Sequence, residues 1–403
     1  MCHCQENDKQ DNNKVDLLGM LRRSDGTKFD DDIISNWYRA RHYVLTSLEA
    51  HDAFYNMARR RQRVHVVLEG TSGLMMAAAR QVALLVHFPT FDDSVGINRT
   101  LITILFDKNK VAPSAIIDFA SQEEYLCNLS RYCKCSVRNF GDATTLDVRH
   151  KDSFLDIELE FVGFDGEGFD RYNSENAVRI KESDIINEPL DETIDLSMAT
   201  RVNMVYNVGM DFDNLASDDP NTAERYDRAL FYFCYHQSPK ATQDAWNKIK
   251  DSQTQIRNKL SNVFCADCFL SRLQYVVNQT KRPEEEILSS TAFKEFLKDN
   301  YQKVLDIVKD NLQMLARCEH ARWNIEKLVL GFRPLTDQEH LEDEQRFGSD
   351  RQAYRKRLKN NRIHIDLCSY RDLRRIDPGN MKYDCFLMIA SPRILLENVM
   401  GKL

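Results

Sequence analysis

The chain has 403 residues, 42% of them apolar and 29% charged, with a net charge of −7. That length allows two or three domains and the composition supports an ordinary globular core, while the acidic balance excludes any global attraction to nucleic-acid phosphates or anionic membranes. The longest apolar stretch, Leu74 to Phe88, is broken by Arg80 and Gln81, short of the roughly 18 uninterrupted apolar residues of a membrane helix.

Residues 1–28 are polar and lack the apolar core of a signal peptide, which predicts a mobile segment and a cytoplasmic protein. Residues 30–60 read as a helix. Asp30, Asp31 and Asp32 suit the positive end of its dipole, and Ile33, Trp37, Tyr38 and Val44 supply apolar positions. Arg59, Arg60, Arg61 and Arg63 follow. Next come a strand from Val64 to Leu68, Gly70 and Gly73, a helix over 74–86, and a strand from Leu101 to Phe106 that ends at Asp107. Strand, glycine turn, helix and strand in that order predict a parallel sheet. Further strands are expected at 154–161 and 202–208, an irregular acidic insertion at 165–200, and a helix opening after Asp219, Pro220 and Thr222. From about residue 240 long helical patterns dominate, over 241–278, 284–298 and 299–330.

In a dinucleotide-binding turn of the form G-x-G-x-x-G, the glycines make the turn, admit a pyrophosphate and allow close helix packing. Here the three positions are Leu68, Gly70 and Gly73, so the first glycine is missing. The helix start still offers backbone N–H groups to phosphate, and Thr71 and Ser72 add hydroxyls. Asp107 stands where an acid meets a ribose hydroxyl. A turn that only packs is the competing reading. On Val64–Leu68, Gly70, Gly73 and the Leu101–Asp107 strand, residues 62–140 resemble the TrkA-N nucleotide-binding domain of potassium-uptake regulators. The resemblance implies a Rossmann-like fold that binds NAD or another adenine nucleotide and controls a partner.

The most specific stretch runs Glu319-His320-Ala321-Arg322-Trp323, Glu326-Lys327 and Leu330-Gly331-Phe332. It resumes with His364, Asp366-Leu367, Tyr370, Leu373 and Lys382-Tyr383-Asp384. Helical spacing brings Glu319, Arg322 and Glu326 into ion-pair reach, sets His320, Trp323 and Lys327 in a neighbouring stripe, and makes Gly331 a C-terminal cap. This order, over 312–395, resembles the ryanodine receptor (RyR) repeat domain of bacterial proteins, with a longer polar loop at about 335–362. The resemblance implies a mainly helical module. A ligand site there would draw on His320, Arg322, Trp323, Arg333, His364 and Tyr370.

The expected organisation is therefore a mobile segment at 1–28, an α/β Rossmann-like nucleotide-binding domain with a parallel-type sheet at 29–240, a helical connector at 241–311 and an RyR-like helical domain at 312–403. Eleven cysteines, an odd number, cannot all pair with one another, and Cys265-x-x-Cys268 fits two buried helix cysteines better than a metal pair. The basic run from Arg351 to Arg362 follows acidic residues and fits a solvated hairpin, so nucleic acid is not the expected partner. No G-x-S-x-G, H-E-x-x-H or Walker lysine is present, and His65, His87 and His150 show no triad or metal spacing. The expected function is a regulatory sensor of NAD, an ADP-ribose-like species or another adenine nucleotide through Gly70, Thr71, Ser72, Gly73 and Asp107, signalling through a partner or homo-oligomer. A nicotinamide-dependent or nucleotide-cleaving enzyme and a scaffold with empty sites are the alternatives.

Overall fold

The computed structural model describes residues 14–46, 63–91, 98–174, 177–188, 190–210, 252–282 and 285–402, together with Ala229, Leu230, Phe233, Asp244 and Trp246. In chain order the first half holds β1 (Lys14–Val15), α1 (Asp31–Thr46), β2 (His65–Glu69), α2 (Gly73–Leu85), β3 (Thr100–Asp107), α3 (Ile116–Ala120), α4 (Leu129–Tyr132), β4 (Lys134–Asn139), β5 (Asp147–Arg149), β6 (Ile157–Phe164), β7 (Val178–Ile180), α5 (Glu182–Ile185), β8 (Ile194–Asp195) and α6 (Ser197–Met210). The second half is helical: α7 (Gln253–Asp267), α8 (Phe269–Gln279), α9 (Ser290–Asp299), α10 (Tyr301–Asp310), α11 (Leu312–Val329), α12 (Asp337–Glu344), α13 (Gly348–Asn360), α14 (Tyr370–Ile376) and α15 (Met381–Val399).

The main sheet has six strands in the order β5-β4-β6-β3-β2-β7. Every pairing is parallel except that of the edge strand β5 with β4. Parallel strands need crossover connections, and α2 supplies the one from β2 to β3. Alternation places Val66, Leu68, Ile102, Ile104 and Phe106 in the main core. Val67, Leu105, Val162 and Phe164 form a smaller cluster with Phe169 and Tyr172, from the segment after β6. The main apolar cluster is continuous from Leu17 and Trp37 through Ile102 and Val263 to Phe386 and Leu395, so both halves share it. Trp37 of α1 stacks on Phe264 of α7, with ring centroids 6.2 Å apart.

Several expectations are corrected. Residues 202–208 lie in helix α6, where Val202, Val205 and Val208 are buried at a spacing of three, a helical period in place of the alternation a strand shows. Residues 335–362 form α12 and α13 in place of a polar loop, α12 opening with a Thr336/Glu339 capping box. The 165–200 stretch contributes β7 to the sheet beside β2. Residues 14–28 are anchored: β1 pairs with β8, and Leu17, Leu18 and Leu21 are buried. The strand β4, which binds β5 and β6, carries Lys134, Ser136 and Arg138 in alternation and was not expected. The helix expected after Asp219 and Arg59–Arg61 lie outside the described residues. Among the described residues no helix is long and apolar enough to cross a membrane.

Candidate functional site

The junction of β2 and α2 builds a cleft at the carboxyl edge of the sheet. Gly70 follows β2 with φ +110°, a conformation that L side chains rarely adopt, and its N–H bonds the carbonyl of Leu105. Ser72 is the N-cap of α2, its Oγ accepting from Met75 N–H at 3.3 Å. Gly73 opens the helix, and a Cβ there would press on Asn36 of α1 at 3.0 Å. The chain reversal at Gly70 and the cap at Ser72 point the N-terminus of α2, with its partial positive charge, into the cleft. The space is about 450 Å³, lined by Glu69, Gly70, Thr71, Ser72, Asp107, Lys110, Glu167, Phe169 and Lys181 to Ser183.

The structure thus brings Gly70, Thr71, Ser72 and Asp107 together around one cleft. Its own side chains already bind one another. Ser72 Oγ donates to Glu182 at 3.0 Å, Lys110 pairs with Glu167, and Arg179 pairs with Glu69. Asp107 Oδ1 accepts the N–H groups of Asn109 at 2.9 Å and Gly166 at 3.1 Å, and the Asn109 N–H in particular holds its carboxyl below the usual range. Asp107 is therefore an ionised acceptor. Glu167, Lys181 and Glu182 were missed because they come from the 165–200 stretch, and only its return to the sheet edge as β7 brings them here.

The helical half holds a second cleft, and the six residues assigned to it divide. His320, Trp323 and His364 line it, beside Tyr206, Lys359, Asp366, Leu373, Asn380, Tyr383 and Asp384, around about 200 Å³. Arg322 does not. It is fully buried between Glu319 at 2.8 Å and Glu326 at 2.6 Å. Arg272 joins the same Glu319, and Lys327 and Ser261 the same Glu326. Burial pushes the Glu319 carboxyl up, yet Arg322 and Arg272 hold it at about 2. This ion network ties α7, α8 and α11 together. Arg333 is not in the lining and pairs with Glu339 at 2.8 Å. Tyr370 is buried behind His320, with ring centroids 5.7 Å apart. Gly331, at φ +86°, closes α11 with Phe332 N–H on the Lys327 carbonyl and Gly331 N–H on that of Leu328.

Within the second cleft His320 Nε2 lies 3.0 Å from the Cys368 carbonyl and Nδ1 3.6 Å from Asp384. Trp323 stacks on His320 at 5.8 Å and meets His364 edge-on at 4.9 Å. Burial, reinforced by Lys359 and Lys327, pushes His364 well below its usual range, so it is neutral. Burial and Asp377 push Asp366 up to about 6 against the hydrogen bond from Asn380. Burial likewise raises Asp384 against the pull of His320.

Two of the histidines that show no triad or metal spacing in the sequence find hydrogen-bond partners from elsewhere in the chain. His87 Nδ1 lies 2.8 Å from Asp156, both buried. His65 bridges Ser174 at 3.0 Å and Thr103 at 2.9 Å, and Thr103 donates to Glu160. These pairings join strands and loops distant in sequence. Cys265 and Cys268 are both buried, and Cys268 Sγ lies 3.3 Å from the Leu84 carbonyl. Among the described residues no group of three or more His, Cys, Asp and Glu is placed to hold a metal ion. No family model, curated protein or solved structure matches this chain.

Proposed function

We propose that the chain is a regulatory nucleotide-binding protein that takes NAD or a related adenine nucleotide at the carboxyl edge of its sheet. The observation that carries this reading is the convergence of three features on one cleft: the positive-φ Gly70 turn, the Ser72-capped N-terminus of α2 and ionised Asp107. In open α/β sheets ligands bind outside the carboxyl ends of the strands. The helix end receives phosphate, and Asp107 accepts from a ribose hydroxyl through the oxygen that makes no turn bond. The TrkA-N and RyR resemblances agree with a sensor whose helical half responds, alone or in a homo-oligomer.

The charges select among nucleotides. Glu69, Asp107, Glu167 and Glu182 outnumber Lys110 and Lys181, and among the described residues only Glu69 has an ion-pair partner from outside the lining, Arg179. A cleft with an excess of carboxylates favours a dinucleotide of low net charge over a triphosphate. Calorimetry with NAD, ADP-ribose, AMP and ATP tests this, with NAD or ADP-ribose expected tightest and ATP weakest. Absence of binding by all four to folded protein ends the reading. Ser72→Asp keeps a good N-cap residue but places a second carboxylate beside Glu182 at the phosphate position, and should abolish binding, with a melting curve separating that loss from any change in stability. Gly73→Asp would abolish it too but also disturbs Asn36.

A further inference from the structure

The second cleft does not end at its aromatic wall. A neighbouring cavity of about 260 Å³ is lined by Arg355, Lys356, Lys359, Ile363, Asp377 and others, and the two share Lys359, His364, Asp366 and Asn380. Together they fall within the roughly 300–1,000 Å³ of small-molecule sites. The two lobes differ in chemistry. The first has Trp323, Tyr206 and Tyr383 as walls, the tyrosine rings 5.6 Å apart, and Asp366 and Asp384 as acids. Asp366 is 6% exposed, and its Oδ1 is buried with no hydrogen-bond partner, while Oδ2 accepts from Asn380 at 2.8 Å. A buried, unmatched carboxylate oxygen calls for a donor. Asp366 and Lys359 stand between the two lobes and line both, and the second adds Arg355, Lys356 and Asp377. Arg355 is taken up by Asp343 and Asp377, whereas Lys356 and Lys359, one turn apart on α13, make no ion pair among the described residues.

We propose that this two-lobed groove binds a small bipolar molecule, with a flat cationic head rich in N–H groups against Asp366 and the aromatic wall, and an anionic tail against Lys356 and Lys359. The head supplies the donor that Asp366 Oδ1 lacks, and it carries charge of the sign that Asp366 and Asp384 attract. Flat heads such as guanidinium or amidinium also lie well on aromatic faces. The tail neutralises the two lysines on the rim. The site is separate from the glycine-turn cleft, so its ligand stands or falls independently of nucleotide binding there.

The test uses the full chain and three probes by calorimetry at pH 7.5: 4-guanidinobenzoate, which has both ends, benzamidine, which has the head alone, and benzoate, which has the tail alone. The bipolar probe should bind at least about tenfold more tightly than either half, as one charge-assisted contact at each end implies. Asp366→Asn should weaken 4-guanidinobenzoate and benzamidine by about tenfold or more and should not weaken benzoate. Lys356→Gln combined with Lys359→Gln, both on an exposed helix face, should weaken 4-guanidinobenzoate and benzoate but not benzamidine. A melting curve of unliganded Asp366→Asn separates binding from folding, because removing an unmatched buried charge raises the melting temperature. Benzoate binding as tightly as 4-guanidinobenzoate, no heat from any probe, or unchanged 4-guanidinobenzoate binding in either variant overturns the proposal. Should Asp366→Asn fail to fold, the lysine variant decides alone.

Discussion

The two clefts are unlike in how their polar groups are matched. At the sheet edge, Ser72, Asp107, Lys110, Glu69, Glu167 and Glu182 are already hydrogen-bonded or ion-paired with protein. In the helical half, Asp366 keeps a buried oxygen without a partner, and Lys356 and Lys359 make no ion pair among the described residues. A ligand entering the first cleft competes with bonds the protein makes for itself at Ser72, Lys110 and Glu69, and meets the second oxygen of Asp107 open. A ligand entering the second meets groups that folding has left unmatched. Closed networks serve the fold, and open ones store a cost that a ligand relieves.

The largest effect expected from this contrast lies in neither cleft. Arg322→Leu leaves Glu319 and Glu326 buried without their shared cation, which should cost about 3–5 kcal/mol, read from chemical denaturation. The wild-type network also sets an acid limit. The Glu319 carboxyl is held at about 2 in the fold, below its ordinary range, so its contribution is complete above about pH 4.5 and is lost as the pH falls toward 2. Arg322→Leu should lose part of that acid dependence, Arg272 keeping the remainder. Unchanged stability would place Arg322 outside the framework and return it to the list of ligand groups.

Asp366→Asn should have the opposite sign. The folded carboxyl titrates near 6 because burial disfavours its charge, so at neutral pH the wild type carries a cost that asparagine removes. A rise in stability of about 2 kcal/mol is expected at pH 7.5. The sign follows from linkage: the folded value lies above the unfolded one, so the penalty is present above pH 6 and disappears as the pH falls below about 4. Melting curves from pH 4 to pH 8 should therefore converge at the acid end. Asp107→Asn makes the comparison sharp, since that carboxyl is held low by N–H groups, and losing its charge should not stabilise. A destabilised Asp366→Asn would mean that its carboxylate is matched after all.

How far the sequence anticipates these clefts depends on how local their residues are. The Gly70–Ser72 turn and Asp107 are legible because glycine, a cap residue and an acid at a strand end each reflect one backbone position. The Glu319, Arg322, Glu326 set is legible because one helix brings it together. The role of Arg322 is not, since Arg272, which shares Glu319, comes from α8. Tyr206 enters the second cleft from α6, a segment whose valines read as a strand until their spacing of three is given weight. Lys359 and Asn380 arrive only when α13 and the turn before α15 fold against α11. The helical character of the second half was clear from periodicity, and the six-strand order was not, because pairing is non-local.

Gly70→Ala asks how rigid the first cleft is. Only Met75 Cγ, at 3.9 Å, lies within 4 Å of the added Cβ, so the cost comes from backbone conformation at φ +110°. About 1–2 kcal/mol is expected in thermal unfolding. No loss would show that the turn relaxes to an ordinary conformation, and the N-terminus of α2 would no longer be held toward the cleft by the chain.

Ser72→Ala is the smallest change and separates the two clefts most directly. It removes the cap on Met75 N–H, for about 1 kcal/mol of stability. It also removes the donor that Glu182 now accepts from, leaving that exposed carboxylate to water. If the helix end receives a phosphate, freeing Glu182 beside it adds repulsion, so the alanine variant should bind NAD more weakly than its stability loss alone accounts for. Glu182→Gln should reverse that effect by removing the negative charge while retaining an acceptor for Ser72. The pair forms a cycle in which the serine and the glutamate are changed singly and together, with NAD affinity read by calorimetry. Additive effects would mean that the Ser72–Glu182 bond is not what a nucleotide must break. An affinity gain in Glu182→Gln that Ser72→Ala does not cancel would place the limiting interaction at the carboxylate, as expected of a cleft whose own bonds compete with its ligand.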